Sequence, residues 1–159
     1  MKILDALNEQ ANFELESAYI YLGMSGYLAD QDMNGMKHFM DMQAKEELEH
    51  AGKMIHFLQE VGYSVKYRSL NPGEADYSSI LDVFEKAYAH EKVVTSNINK
   101  LVDLAREEDD KRVQSLLKWY VDEQVEEESN FASLITQLGR AGENWGALYQ
   151  LDHAMGHRG

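Results

Sequence analysis

Along most of the chain, apolar residues recur at alternating spacings of three and four, the mark of a helix that buries one stripe of its surface. Four such stripes can be followed. The first is Leu4, Leu7, Ala11, Glu14, Ala18, Tyr21, Ser25 and Leu28, and the second Met36, Met40, Gln43, Glu47, His50, Met54, Phe57 and Val61. The third is Ile80, Phe84, Ala87, Glu91, Val94, Ile98, Leu101 and Ala105, and the fourth Val113, Leu117, Tyr120, Gln124, Glu127, Phe131, Leu134 and Leu138. They predict four long helices and an all-α fold. Each stripe is broken by polar residues: Glu14 in the first, Glu47 and His50 in the second, Glu91 in the third, Gln124 and Glu127 in the fourth. Withdrawing a carboxylate from water costs several kcal/mol even after relaxation, so these interruptions need compensation.

The punctuation between stripes sets the topology. A turn around Gln31 to Gly35 separates the first two helices. Ser79 with Asp82 forms a capping box for the third, and Asp109 or Asp110 caps the fourth, which Gly139 and Gly142 stop. Both of these connections are short, so each joins an antiparallel pair. The second–third connection, Tyr63 to Tyr77, carries Asn71-Pro72-Gly73. Its roughly 14 residues reach ~46 Å when extended, against ~42 Å for a helix of ~28 residues. One crossover can therefore run the length of a bundle spanning about residues 3–138. Beyond it, Glu143 to Met155 reads as a short fifth helix with Trp145, Leu148, Leu151 and Met155 on one side. Four helices complete a bundle, so the fifth is expected at a contact between subunits. Counted along the helices, all six polar residues fall within a slab of ~6 Å.

Composition narrows what the slab can hold. The 159 residues suit one domain with a substantial core, and the absence of cysteine excludes disulfides, thiolate metal sites and a thiol nucleophile. A net charge of −13, from 28 acidic against 15 basic residues, disfavours nucleic acid and favours cations. No apolar run is long enough for a membrane span, and the first residues lack a signal-peptide core. Glu14, Glu47, Glu91 and Glu127 total −4, which two divalent ions neutralise. Oxygen-rich ligation with one imidazole suits Fe(II) or Mn(II) better than structural zinc. A single buried amide can merely fix helix register, so Gln43 or Gln124 alone would carry no message. Four carboxylates with a histidine do.

These residues resemble the ferritin family, over essentially the whole chain. The matching stretches are Leu7-Asn8-Glu9-Gln10 with Glu14, Glu46-Glu47-Leu48-Glu49-His50, Tyr88-Ala89-His90-Glu91, Trp119 to Glu128, and Gly146 to Asp152. The resemblance implies a ferritin-like bundle whose di-iron centre oxidises Fe(II) with O₂ or H₂O₂ and stores the ferric product. Glu14, Glu47 and His50 would hold one iron, Glu47 would bridge, and Glu91 with Glu127 would hold the second. Gln124 would stand beside that centre. Glu46, Glu123 and Glu126, sharing Glu127, match a third iron site of prokaryotic non-haem ferritins, and the plain alternative for them is a solvated acidic face. Tyr21 matches a redox-active tyrosine, and would equally serve as a core tyrosine bonded to a ligand carboxylate. Bacterioferritin's haem-ligating methionine would follow Glu47, where this chain has Leu48, so no haem is expected. The implied assembly is a homo-oligomeric cage, a 24-mer of about 24 subunits, with the fifth helix around the four-fold axis. The expected location is the cytoplasm, or an organelle if a transit peptide preceded Met1.

Other signals are weaker. Glu107-Glu108-Asp109-Asp110 would line a three-fold channel in such a cage, or simply form a solvated turn. Trp119 reads as core. Met24, Met36, Met40 and Met54 read as core filling. His38, His56, His90, His153 and His157 read as surface or satisfied histidines without a partner at ligand spacing. The competing function is a di-iron peroxidase or oxidase without storage. The lack of a cysteine-rich electron-transfer module argues against its rubrerythrin-like form. A DNA-protecting mini-ferritin is a third reading, disfavoured by the full ligand set within one chain and the absence of a basic tail.

Overall fold

In a computed structural model, which describes residues 2–73 and 76–159, the chain forms five helices and, among the described residues, no strand. They are α1 (Ile3–Asp30), α2 (Asn34–Glu60), α3 (Ile80–Glu107), α4 (Lys111–Ala141) and α5 (Trp145–Met155). The helices α1 and α2 pack as one antiparallel hairpin and α3 and α4 as the other, α1 lying against α3. This is the expected four-helix bundle with one long crossover. Glu74 and Ala75 of that crossover lie outside the described residues.

Fourteen or so residues without regular structure need another source of order. Asn8, Asn12 and Glu16, one turn apart on α1, supply it. Asn8 accepts from the Lys66 N–H and donates to the Lys66 carbonyl, each at 3.0 Å. Asn12 accepts from the Arg68 N–H at 3.1 Å, and Glu16 accepts from the Asn71 N–H at 2.8 Å. The crossover is thus hydrogen-bonded along the flank of α1.

Helix ends divide between local caps and distant groups. Ser79 accepts from the Asp82 N–H, Asp110 from the N–H groups of Arg112 and Val113, and Asn144 from that of Ala147. Neither α1 nor α2 has a side-chain cap at its own N-cap residue. Instead Glu108, in the α3–α4 turn, accepts from the Ile3 N–H at 2.8 Å, and Asp152, in α5, accepts from the Met36 N–H at 2.8 Å. Both carboxylates face the positive end of a helix dipole. Three of the four residues in the acidic run therefore have local duties: Glu108 and Asp110 cap helices, and Asp109 pairs with Lys111.

One expectation is corrected. Gly139 lies inside α4, which ends at Gly142 with φ +57°. The helix α5 does not leave its own bundle: Leu148 and Met155 are buried against α2 and α4, while Trp145 and Tyr149 remain exposed. Leu148, Leu151 and Met155 of the expected face do turn inward, and only Trp145 departs from it. At the Asp152 cap the contact is backbone to backbone, since a Cβ on Gly35 would lie 1.8 Å from the Asp152 carbonyl oxygen.

The methionines fill core as expected, but the core is not continuous. One apolar cluster holds Met24, Leu28, Met36, Met40, Phe84 and Phe131, and the other Leu7, Met54, Leu58, Ile98, Leu117 and Tyr120. The six polar residues of the four stripes lie between these clusters.

The Gly35 contact makes the first prediction. Gly35→Ala should force α5 off α2 and destabilise the protein by about 1–3 kcal/mol, with faster proteolysis after Gly142. Denaturant unfolding and limited proteolysis measure both; unchanged values would show that the helices separate without cost.

Candidate metal centre

All six stripe residues, Glu14, Glu47, His50, Glu91, Gln124 and Glu127, are buried, none more than 5% exposed. Their environment is built one turn at a time. Gln10, a turn before Glu14 on α1, donates to Glu14 Oε1 at 3.2 Å. Gln43, a turn before Glu47 on α2, donates to Glu47 Oε1 at 3.2 Å and to Glu127 Oε2 at 3.0 Å. Gln124 donates to Glu91 Oε2 at 3.1 Å, and Tyr21 donates its hydroxyl to Glu91 Oε1 at 2.5 Å. Tyr120 donates to the His50 carbonyl at 2.6 Å. The assisting amides Gln10 and Gln43 carried a readable signal, a Gln-x-x-x-Glu pattern on both helices, whose meaning emerges only once the carboxylates are seen to be buried.

The arrangement falls into three parts. Glu14, Glu47 and His50 bring one ligand atom each within 4.8 Å of one another. His50, Glu123 and Glu127 do the same. The Glu91 carboxylate instead divides its oxygens between Tyr21 and Gln124. His50 links the first two groups, with Nδ1 3.4 Å from Glu47 Oε2 and Nε2 3.8 Å from Glu123 Oε2. Alongside lies a cleft of about 460 Å³ lined by Glu46, Glu123, Glu126, Glu127, Asn130 and Arg158, among others. The structure thus brings together the four residues expected of a third site.

Electrostatics show how poorly this layer suits four free carboxylates. Burial, then the carboxylate of Glu47, holds Glu14 well above the usual carboxylate range. Burial, then Glu91, does the same to Glu47. Glu127 is pushed up to about 8 by burial, Glu91 and Glu46. Burial and the Glu91 carboxylate also raise Tyr21, so its phenol stays protonated and donates. Two carboxylate oxygens, Glu14 Oε2 and Glu47 Oε2, receive no hydrogen bond from any described donor. Buried orphan oxygens on adjacent carboxylates are what a divalent cation satisfies.

Several smaller readings change. Trp119 is not core: it is a third exposed, stands edge-on to His50 with centroids 5.3 Å apart, and carries Lys53 Nζ 3.8 Å from its ring centroid. It precedes Tyr120, which occupies the inward position. His90 is satisfied, hydrogen-bonded to Ser17 at 2.7 Å and stacked on Phe13. His153 and His157 do have a partner, namely each other, with Nε2 atoms 3.3 Å apart across one helical turn.

A four-helix bundle with one crossover and a carboxylate–histidine layer at its middle defines a ferritin-like protein. The comparisons agree. A family model described as "Ferritin-like domain" matches residues 4–141. The "Bacterial non-heme ferritin" of Staphylococcus aureus is 36% identical over 156 residues, covering 98% of this chain and 94% of that protein. A "Probable bacterial non-heme ferritin-like protein" of Haemophilus influenzae is 36% identical over 155 residues, with the same coverage. Among solved structures, an open-pore ferritin of the archaeon Archaeoglobus fulgidus superimposes with a TM-score of 0.97 at 39% identity, covering 99% of this chain and 97% of that one. The chain belongs to the ferritin family, on its prokaryotic non-haem branch.

The raised carboxylates predict a pH dependence of stability. A folded-state pKa above the unfolded value contributes stability at low pH that is lost as pH rises through the folded pKa. For Glu127 that window runs from the ordinary 4.5 to about 8. His90, lowered by burial from 6.5, acts in the opposite sense below that value. Metal-free protein should therefore melt at progressively lower temperature between about pH 6.5 and 8, and a saturating divalent cation should flatten the trend. Calorimetry with and without Co(II) measures this. A melting temperature that rises with pH in the metal-free protein would mean the layer is not proton-loaded.

Proposed function

We propose that this chain stores iron, oxidising Fe(II) at a di-iron centre within each subunit and holding the product as a ferric oxyhydroxide mineral inside a homo-oligomeric cage. Family membership supports iron storage itself. The observation that carries the site is the pair of orphan oxygens, Glu14 Oε2 and Glu47 Oε2, on buried carboxylates beside His50. Iron is the substrate here. Glu14, Glu47 and His50 hold one ion, Glu47 bridges, and Glu91 and Glu127 hold the second. Tyr21 and Gln124 orient Glu91, which swings part of its hydrogen bonding to the metal as it binds.

Hard carboxylate oxygens stabilise Fe(III) over Fe(II), which makes electron loss favourable. Two adjacent ions supply two electrons together, taking O₂ to the level of peroxide without releasing superoxide. Two protons complete that product and come from water, since the buried carboxylates give up their own protons when they take the ions. Where O₂ is taken on to water, a third Fe(II) supplies the third electron and Tyr21 can supply the fourth, its proton passing to Glu91, to which it is already hydrogen-bonded. Glu46, Glu123 and Glu126, with Glu127, form a third iron site in the adjoining cleft. The residue after Glu47 is Leu48, a side chain that cannot ligate haem iron. We further read the chain as a single domain, acting in the cytoplasm.

The decisive experiment pairs assembly with turnover. Native size-exclusion should give a particle of several hundred kDa, whereas a dimer would sink the cage. Aerobic Fe(II) addition should give a rapid rise in near-ultraviolet absorbance that Glu47→Ala abolishes, and oxidation at the wild-type rate in that variant would overturn the site assignment. Tyr21→Phe should retain iron binding and slow oxidation severalfold; an unchanged rate would leave Tyr21 only a positioning role.

A further inference from the structure

The cleft assigned to a third iron already has a positive charge in it. Arg158, next to the end of the chain, places Nη2 2.9 Å from Glu46 Oε2. Its Nη1 donates to the Phe39 carbonyl at 3.1 Å, and its guanidinium stacks 4.3 Å above the Phe39 ring. The Arg158 carbonyl is in turn bonded by His38 Nε2 at 2.6 Å. The residue is thus tied at both backbone and side chain, and its side chain is only 20% exposed. The anchoring begins further back, where Asp152 docks α5 on the start of α2.

This position is not explained by tail docking alone. A tail could end on the apolar rim formed by Phe39 and Leu134; instead the guanidinium reaches a carboxylate of the acidic group. Arginine cannot be deprotonated at any working pH, so the charge is permanent. It offsets one of four carboxylates, and Glu123 and Glu127 remain raised by burial and by their acidic neighbours. A divalent ion entering the cleft meets a like charge within a few ångströms of its ligands, a repulsion that no rearrangement of the carboxylates removes.

We propose that Arg158 is a chain-borne cation occupying the Glu46–Glu123–Glu126–Glu127 cleft, which a metal ion must displace, so that the C-terminal tail sets the affinity of the third site. This rests on the third-site reading above. Glu14, Glu47 and Glu91 lie outside the cleft, so the tail acts on the third site directly and on the buried pair only through the shared Glu127. Phe39 gives the displaced guanidinium a place to remain stacked once it leaves Glu46.

Calorimetric titration of intact cages with Co(II), a divalent ion not readily oxidised by O₂, tests this. Wild type should show two tight events and one weaker event. Arg158→Gln, which keeps a donor but removes the charge, should tighten the weaker event about fivefold, as expected for release of a partly exposed ion pair. Arg158→Lys, which keeps the charge, should bind the third ion as wild type does. Glu46→Gln should weaken that event in either background. A third event no tighter in Arg158→Gln overturns the proposal, as does equal tightening by Arg158→Lys, which would make the residue an anchor and not a competing charge. Two tight events with no third in any protein would instead overturn the third-site reading, and the proposal with it.

Discussion

Everything in this bundle is arranged around the burial of four carboxylates at one level. Desolvation and repulsion act together there, because Glu47 presses on Glu14, and Glu91 on both Glu47 and Glu127. Four neutral donors, Gln10, Gln43, Gln124 and Tyr21, satisfy part of the layer. None of them brings a charge, so they orient the carboxylates without neutralising them. That distinction matters. A lysine or arginine in the layer would stabilise the empty protein and leave no reason for a metal to bind.

Because the middle of the bundle is costly, its stability has to come from either side of it. Two apolar clusters flank the layer, and the helix ends are fixed by groups from far along the chain. Glu108 caps α1 from the α3–α4 turn, and Asp152 caps α2 from α5. The Asn8–Asn12–Glu16 ladder does the equivalent for the crossover. The frame is rigid where water reaches its ends, and the unsatisfied polarity is confined to the one slab where a cation can answer it.

What could be read from the residues divides along the same line. Periodicity revealed the four helices, their polar interruptions and the crossover, because each is a local spacing or a length. The level of the site followed from counting, since a helix converts sequence distance into height. The inward face of the fifth helix was legible as a spacing, whereas its docking on α2 depends on Asp152 meeting Met36, a contact between residues 116 apart in sequence. Gly35 looked like a turn residue, whereas it serves the close approach of two backbones. Trp119 was taken for core because its apolar character was weighed above its place beside the true inward residue, Tyr120. Arg158 left no signal, since nothing in a C-terminal arginine announces a glutamate on α2.

The two acidic groups also differ physically, although they share Glu127 and His50. The buried pair is dehydrated in advance, so an ion entering it exchanges its water for fixed oxygens and gains a large Coulombic term at low dielectric. The cleft is open to solvent, screened, and already partly neutralised by Arg158, so an ion there gains less. Glu127 belongs to both groups, so the two are coupled: an ion in the buried layer and an ion in the cleft would draw on the charge of the same carboxylate.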